Sequence, residues 1–151
     1  MKTPIILILS SLIFSGCAGT IKQMEEDGAR RTQEQSDAAE RLRLSRQNGD
    51  TVTCLNKISC EKALILTNAF IQKNSDMRMQ FSDSTTVSPF PINTATNNQY
   101  GYISMSAIKT PDAGETVKIK LVATCQKMNI ECDKKLASIY DSFKPFVESK
   151  L

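Results

Sequence analysis

Four cysteines in two close pairs, Cys54/Cys60 and Cys125/Cys132, constrain this chain more than any other feature. A fifth, Cys17, stands apart from them near the start of the sequence. The spacing alone admits disulfides or a bound metal. Structural zinc usually takes ligands roughly two to four residues apart, often with histidine. Here five and six residues separate the members of the pairs, and the chain has no histidine. The first residues weigh in on the same question. Lys2 precedes an apolar run from Pro4 to Phe14, a positive start and short apolar core that fit an export signal and are too short to span a bilayer as a stable helix. An exported chain meets oxidising conditions, where an even set of four cysteines reads as two disulfides and not as a metal site.

The apolar run ends in Ile13-Phe14-Ser15-Gly16-Cys17, which resembles the lipobox of bacterial lipoprotein signals. The resemblance implies cleavage before Cys17 and lipidation of that residue, with the chain then anchored to a membrane. Several acyl chains make such attachment stable, whereas one is marginal. Ala18 follows, where an aspartate would mark inner-membrane retention in enteric bacteria, so the resemblance implies the periplasmic face of the outer membrane. The alternative is an ordinary signal cut after Gly16 or Gly19, leaving a soluble periplasmic protein. Parity favours the lipobox, since the count of disulfide cysteines is even only without Cys17. Further along, Cys54-x5-Cys60-Glu61-Lys62, polar strands and Cys125-x6-Cys132 before a last amphipathic helix are similar to a group of small uncharacterised proteobacterial lipoproteins. That likeness implies placement and fold, and no activity.

Without residues 1–16 the chain keeps 135 residues, with 18 Lys+Arg (19 less Lys2) against 16 Asp+Glu, or +2. This suffices for one domain and a tail. A balanced, scattered charge predicts neither nucleic-acid binding nor strong attraction to anionic headgroups. With no histidine the usual general base is missing, and no serine sits in a nucleophile-elbow context. Asp76 and Asp83, seven apart in a strand-like region, do not form an expected carboxylate pair. The cysteines lack the C-x-x-C spacing of redox enzymes. The expectation is a protein that is not an enzyme and needs no cofactor or metal.

Residues 17–50 read as a polar tether after the lipidated cysteine. Good helix formers dominate it, but the seam Ile21, Met24, Gly28, Arg31, Gln35, Ala38 and Leu42 is interrupted by glycine, arginine and glutamine, so no stable coiled coil is expected. Its length would be ~50 Å as helix or ~110 Å if extended. Asn48-Gly49-Asp50 marks its end, and residues 51–151 form the globular domain. Thr51-Val52-Thr53-Cys54 is a short β-type run and Leu55–Ser59 a connection, with Ser59 capping a helix. Over 60–73, Ala63, Leu64, Thr67, Phe70 and Ile71 share one face at helical spacing.

Three strands are expected next. Met77, Met79 and Phe81 alternate with polar residues, Tyr100 to Lys109 alternates again, and Val117, Ile119, Leu121, Ala123 and Cys125 give the clearest period of two. Between the first two strands Pro89 and Pro91 exclude an interior strand. Thr110-Pro111-Asp112-Ala113-Gly114 reads as a turn. A final helix over Asp133–Val147 presents Leu136, Ile139, Tyr140, Phe143 and Val147, with Pro145 kinking it or ending it early. The expected fold is α+β, a three-stranded antiparallel meander with two helices on one face in the order α-β-β-β-α, stapled by disulfides.

Four cysteines allow three connectivities. Local pairs Cys54–Cys60 and Cys125–Cys132 each stabilise by about 2.5 kcal/mol in the chain-entropy model, and a long Cys54–Cys125 link by about 4.4 kcal/mol. Each close pair brackets a junction leading into a helix, which favours local pairing. The function these features support is a lipid-anchored envelope protein with a non-catalytic periplasmic domain that binds another envelope component. An edge strand at 77–87 or an outward Tyr100/Tyr102 pair would serve as the contact. A carrier or sensor of a small apolar ligand or lipid, using the Met77/Met79/Phe81 stripe, is the alternative. The sequence fixes no oligomeric state.

Overall fold

The computed structural model describes residues 15–89, 102–112 and 116–151. They divide into two units, Met1–Ser36 and Asp37–Leu151. In the first, the described residues belong to one helix, α1 (Ser15–Gly49). From Lys22 to Ser36 its side chains are exposed, apart from a half-buried Asp27. Local contacts support it. Arg30 Nη2 meets Asp27 Oδ1 at 3.0 Å, and the Thr32 hydroxyl donates to the Gly28 carbonyl at 3.0 Å. Helix propensity and such local pairs favour this stretch.

The second unit takes in the end of α1 and the elements β1 (Thr51–Cys54), α2 (Lys57–Asn74), β2 (Met79–Ser82), β3 (Thr86–Pro89), β4 (Ile103–Pro111), β5 (Val117–Cys125) and α3 (Ile130–Glu148). The strands form one sheet in the order β1-β5-β4-β3-β2, antiparallel throughout. The class is α+β, as expected, but among the described residues the sheet has five strands and there are three helices. Two readings account for the difference. The β-type run Thr51–Cys54 joins the sheet as an edge, pairing Val52 with Ile119, and no local pattern can announce a partner so far along the chain. The single strand expected at 77–87 is a hairpin. Asp83 turns it, its Oδ1 accepting from the Thr85 and Thr86 amides at 2.7 Å each and from the Thr85 hydroxyl at 2.9 Å. These bonds, the two amides first, hold the exposed Asp83 carboxyl below the usual carboxylate range.

β3 lies inside the sheet, contrary to the reading of its prolines. Pro89 is tolerated because β3 pairs with β4 only at Thr86 and Val87, while Pro89 faces Met79 of β2. A missing N–H at Pro89 thus costs no bond to β4. Pro91, residues 93–99 and Tyr100 lie outside the described residues, as do Ala113 and Gly114 of the expected turn. Its described part, Pro111, ends β4 opposite Val117.

The sheet has one covered face. Val52, Val87, Ile103, Met105, Ala107, Ile119, Leu121 and Ala123 are buried, and the register Met105↔Ala123, Ala107↔Leu121 and Val52↔Ile119 sets them side by side. The expected faces of α2 (Ala63, Leu64, Thr67, Phe70, Ile71) and α3 (Leu136, Ile139, Tyr140, Phe143, Val147) are buried against them. Phe70 holds both Phe143 and Phe146 at ring distances of 5.3 Å, which locks the two helices together.

Helix ends differ in detail from the sequence reading. Asn56, not Ser59, caps α2, and Ser59 completes a capping box three residues in. Asn129 caps α3, with Glu131 and Asp133 favourably placed in the first turn. Pro145 neither stops α3 nor falls at its end. The helix runs on to Glu148, because the bond lost at Pro145 faces solvent while buried Val147 anchors the last turn.

Candidate functional site

Both local disulfides are present, Cys54–Cys60 and Cys125–Cys132. Each closes a link from a strand into the first turn of the following helix. Cys54, Cys60 and Cys132 are almost fully buried, so the bridges act as staples inside the core. Cys17 falls in the first turn of α1. Among the described residues no group of His, Cys, Asp or Glu could hold a metal ion, and no helix is long and apolar enough to cross a membrane.

The Met77/Met79/Phe81 stripe does not run evenly along one strand. Met77 precedes β2, and the register slips between Met79 and Phe81. Such a slip shifts a strand's side-chain alternation. Asp76 and Asp83 are drawn into separate backbone tasks: Asp76 Oδ2 accepts from the Ile103 amide at 2.9 Å, far from the Asp83 turn along the chain. Tyr102 is half-buried and its carbonyl extends the β4–β5 ladder to the Gln126 amide at 2.9 Å. The edge strand β2 exists but is only four residues long.

The site that stands out lies within the stretch that the sequence marks as tether. The last turns of α1 carry Ala38, Leu42, Ser45 and Gly49 at helical spacing. Ala38 and Ser45 are 5% and 7% exposed, and Leu42 packs against the core. Gly49 admits no side chain, since a Cβ there would run into the Tyr140 carbonyl. Backbone thus meets backbone where α1 reaches α3. Asp50 continues the contact, its carbonyl accepting from the Leu121 amide at 2.8 Å.

Beside this junction lies a slot of ≈ 130 Å³ lined by Leu42, Arg46, Ala123, Thr124, Met128, Leu136 and Tyr140. Its floor is rigid. Tyr140 Oη accepts from the Ala123 amide at 2.9 Å and donates to the Ala123 carbonyl at 3.3 Å. Its lip is Met128, 68% exposed, whose sulfur lies 4.0 Å from that of Cys132. A shallower groove of ≈ 500 Å³ adjoins it along α1, lined by Ala39, Leu42, Arg43, Arg46, Gln47 and Asp50. Leu42 and Arg46 border both.

The bases around this groove are not equivalent. Arg43 grips Glu40 through Nε and Nη2 at 2.8 Å each. That bond holds the Glu40 carboxyl below its usual range and raises the Arg43 guanidinium. Arg41 meets Asp141 at 3.8 Å and Lys120 meets Asp50 at 3.5 Å. Arg46 pairs with no carboxylate among the described residues. The sequence carried one overlooked signal for this site, the 4-3-4 spacing of Ala38, Leu42, Ser45 and Gly49; its small side chains register weakly on any hydrophobic pattern.

No model of a known protein family matches the chain, and no curated protein is significantly similar to it.

Proposed function

We propose that this chain is a lipid-anchored protein of the cell envelope. Cys17 carries the lipid at the periplasmic face of the outer membrane, and the disulfide-stapled domain binds another envelope component without catalysing a reaction. The observation that carries the reading is the fate of the cysteines. Four of the five are joined in two local bridges, which suits an oxidising compartment and leaves Cys17 as the odd one, at the end of an export signal. The groove at the α1–α3 junction gives the domain a contact surface.

Metabolic labelling with a palmitate analogue tests the anchor. The wild-type chain is expected to take up the label and sediment with outer membranes, and Cys17→Ser to lose both. An unlabelled wild-type protein in the soluble periplasmic fraction contradicts the reading and selects ordinary signal cleavage.

A further inference from the structure

We propose that the slot between α1, α3 and the end of β5 receives a peptide segment of a partner protein, one that places an apolar side chain beside a carboxylate. The proposal rests on the binding half of the proposed function and is independent of the anchor. Three observations define the occupant.

The first is shape. A slot of ≈ 130 Å³ is well below the roughly 300–1,000 Å³ of small-molecule sites. It is of the size that one aliphatic side chain fills. The adjoining ≈ 500 Å³ groove is shallow and runs along α1, so it suits a chain continuing out of the slot better than a compact ligand.

The second is surface chemistry. Leu42, Ala123, Leu136 and the Tyr140 ring make the slot apolar, and the Met128 thioether at its lip is unbranched and adaptable. The neighbouring Cys125–Cys132 bridge closes the four-residue link that carries Met128, so the lip presents an exposed side chain on a backbone held by the bridge. Preorganisation of that kind lowers the entropy lost on binding.

The third is charge. Arg41, Arg43 and Lys120 each face a carboxylate of this chain, while Arg46, which borders both slot and groove, faces none among the described residues. A guanidinium presents a planar fork that fits a carboxylate in two bonds. An occupant with an acidic group one residue from its apolar side chain satisfies both parts of the site together.

The test uses the purified full-length chain with methionine methyl groups labelled with ¹³C, titrated with the capped hexapeptide Ser-Gly-Leu-Glu-Gly-Ser and with the same peptide carrying Lys in place of Glu. The Glu peptide is expected to move the Met128 methyl resonance in a saturable way and to bind at least fivefold more tightly than the Lys peptide. Arg46→Gln should abolish that preference, and Met128→Glu, at an exposed position, should remove binding by either peptide. An unmoved Met128 methyl, equal binding of the two peptides, or a preference that survives Arg46→Gln overturns the proposal. So does octanoate binding in the slot in place of the Glu peptide, which would assign the site to a lipid. The anchor is read by lipid labelling and the slot by peptide titration, so either can fail alone.

Discussion

The two ends of α1 are one helix held together by different physics. From Lys22 to Ser36 the side chains reach solvent apart from the half-buried Asp27, and local bonds such as Arg30–Asp27 and Thr32–Gly28 are present. From Ala38 to Gly49 one face carries the buried Ala38, Ser45 and Gly49 and the half-buried Leu42, which packs on the core. Two glycines measure the contrast. A Cβ at Gly28 meets nothing within 4 Å, whereas one at Gly49 strikes the backbone of Tyr140. The same residue type is a weakness in the first place and a requirement in the second. A polar helix that leans on local pairs is marginal in water, whereas the end of α1 in the second unit draws on Leu42 packed at the core and on the close approach of Gly49 to Tyr140.

The largest expected break in that contrast is Gly49→Ala. The obstacle is main chain and cannot rotate away, so a loss of about 3 kcal/mol in chemical denaturation is expected. A neutral result would mean that α1 does not dock as described. Next, Ala38→Glu should cost about 2 kcal/mol by placing a charge at a buried position, while Gln35→Glu, three residues earlier and exposed, should stay within about 0.5 kcal/mol. Equal effects at the two positions would erase the boundary at Asp37. Gly28→Ala should act the other way, strengthening the local helix by about 1 kcal/mol and slowing amide exchange over residues 24–32 without changing the domain's denaturation midpoint.

The smallest effect concerns Glu40, whose carboxyl is held low by its bond to Arg43. A lowered folded-state pKa contributes stability above the ordinary glutamate value, and that contribution fades as the pH falls through the folded-state value. Helicity at the α1 end should therefore weaken slightly on acidification below about pH 4, and the change should disappear in Glu40→Gln. Because the pair is fully exposed, added salt should also shrink it.

What the residues announced and what they hid divide along a physical line. The faces of α2 and α3 and the alternation of β5 were legible because large apolar side chains recur at the period of their own element, as in Leu136, Ile139, Tyr140, Phe143 and Val147. The hairpin at Asp83 was hidden because its turn uses Asp-Ser-Thr, with neither glycine nor proline to punctuate it. The edge position of Thr51–Cys54 depends on Val52 meeting Ile119, a pairing set by topology. The slot was hidden for a third reason. It lies beside a junction that α1 makes with alanine, serine and glycine, whose value here is their small size, while its own α1 lining is Leu42 and Arg46, and Arg46 looks like any other base of a polar run until its neighbours are seen to be paired.

Cys17 stands outside the two disulfides, and we propose that it carries lipid. Mass spectrometry of the N-terminal peptide from the membrane-extracted protein tests it most directly. The expected mature chain begins at Cys17 and bears the added mass of a diacylglyceryl group and an amide-linked acyl chain. A mature chain that begins at Cys17 with an unmodified thiol, or at Thr20, would contradict it.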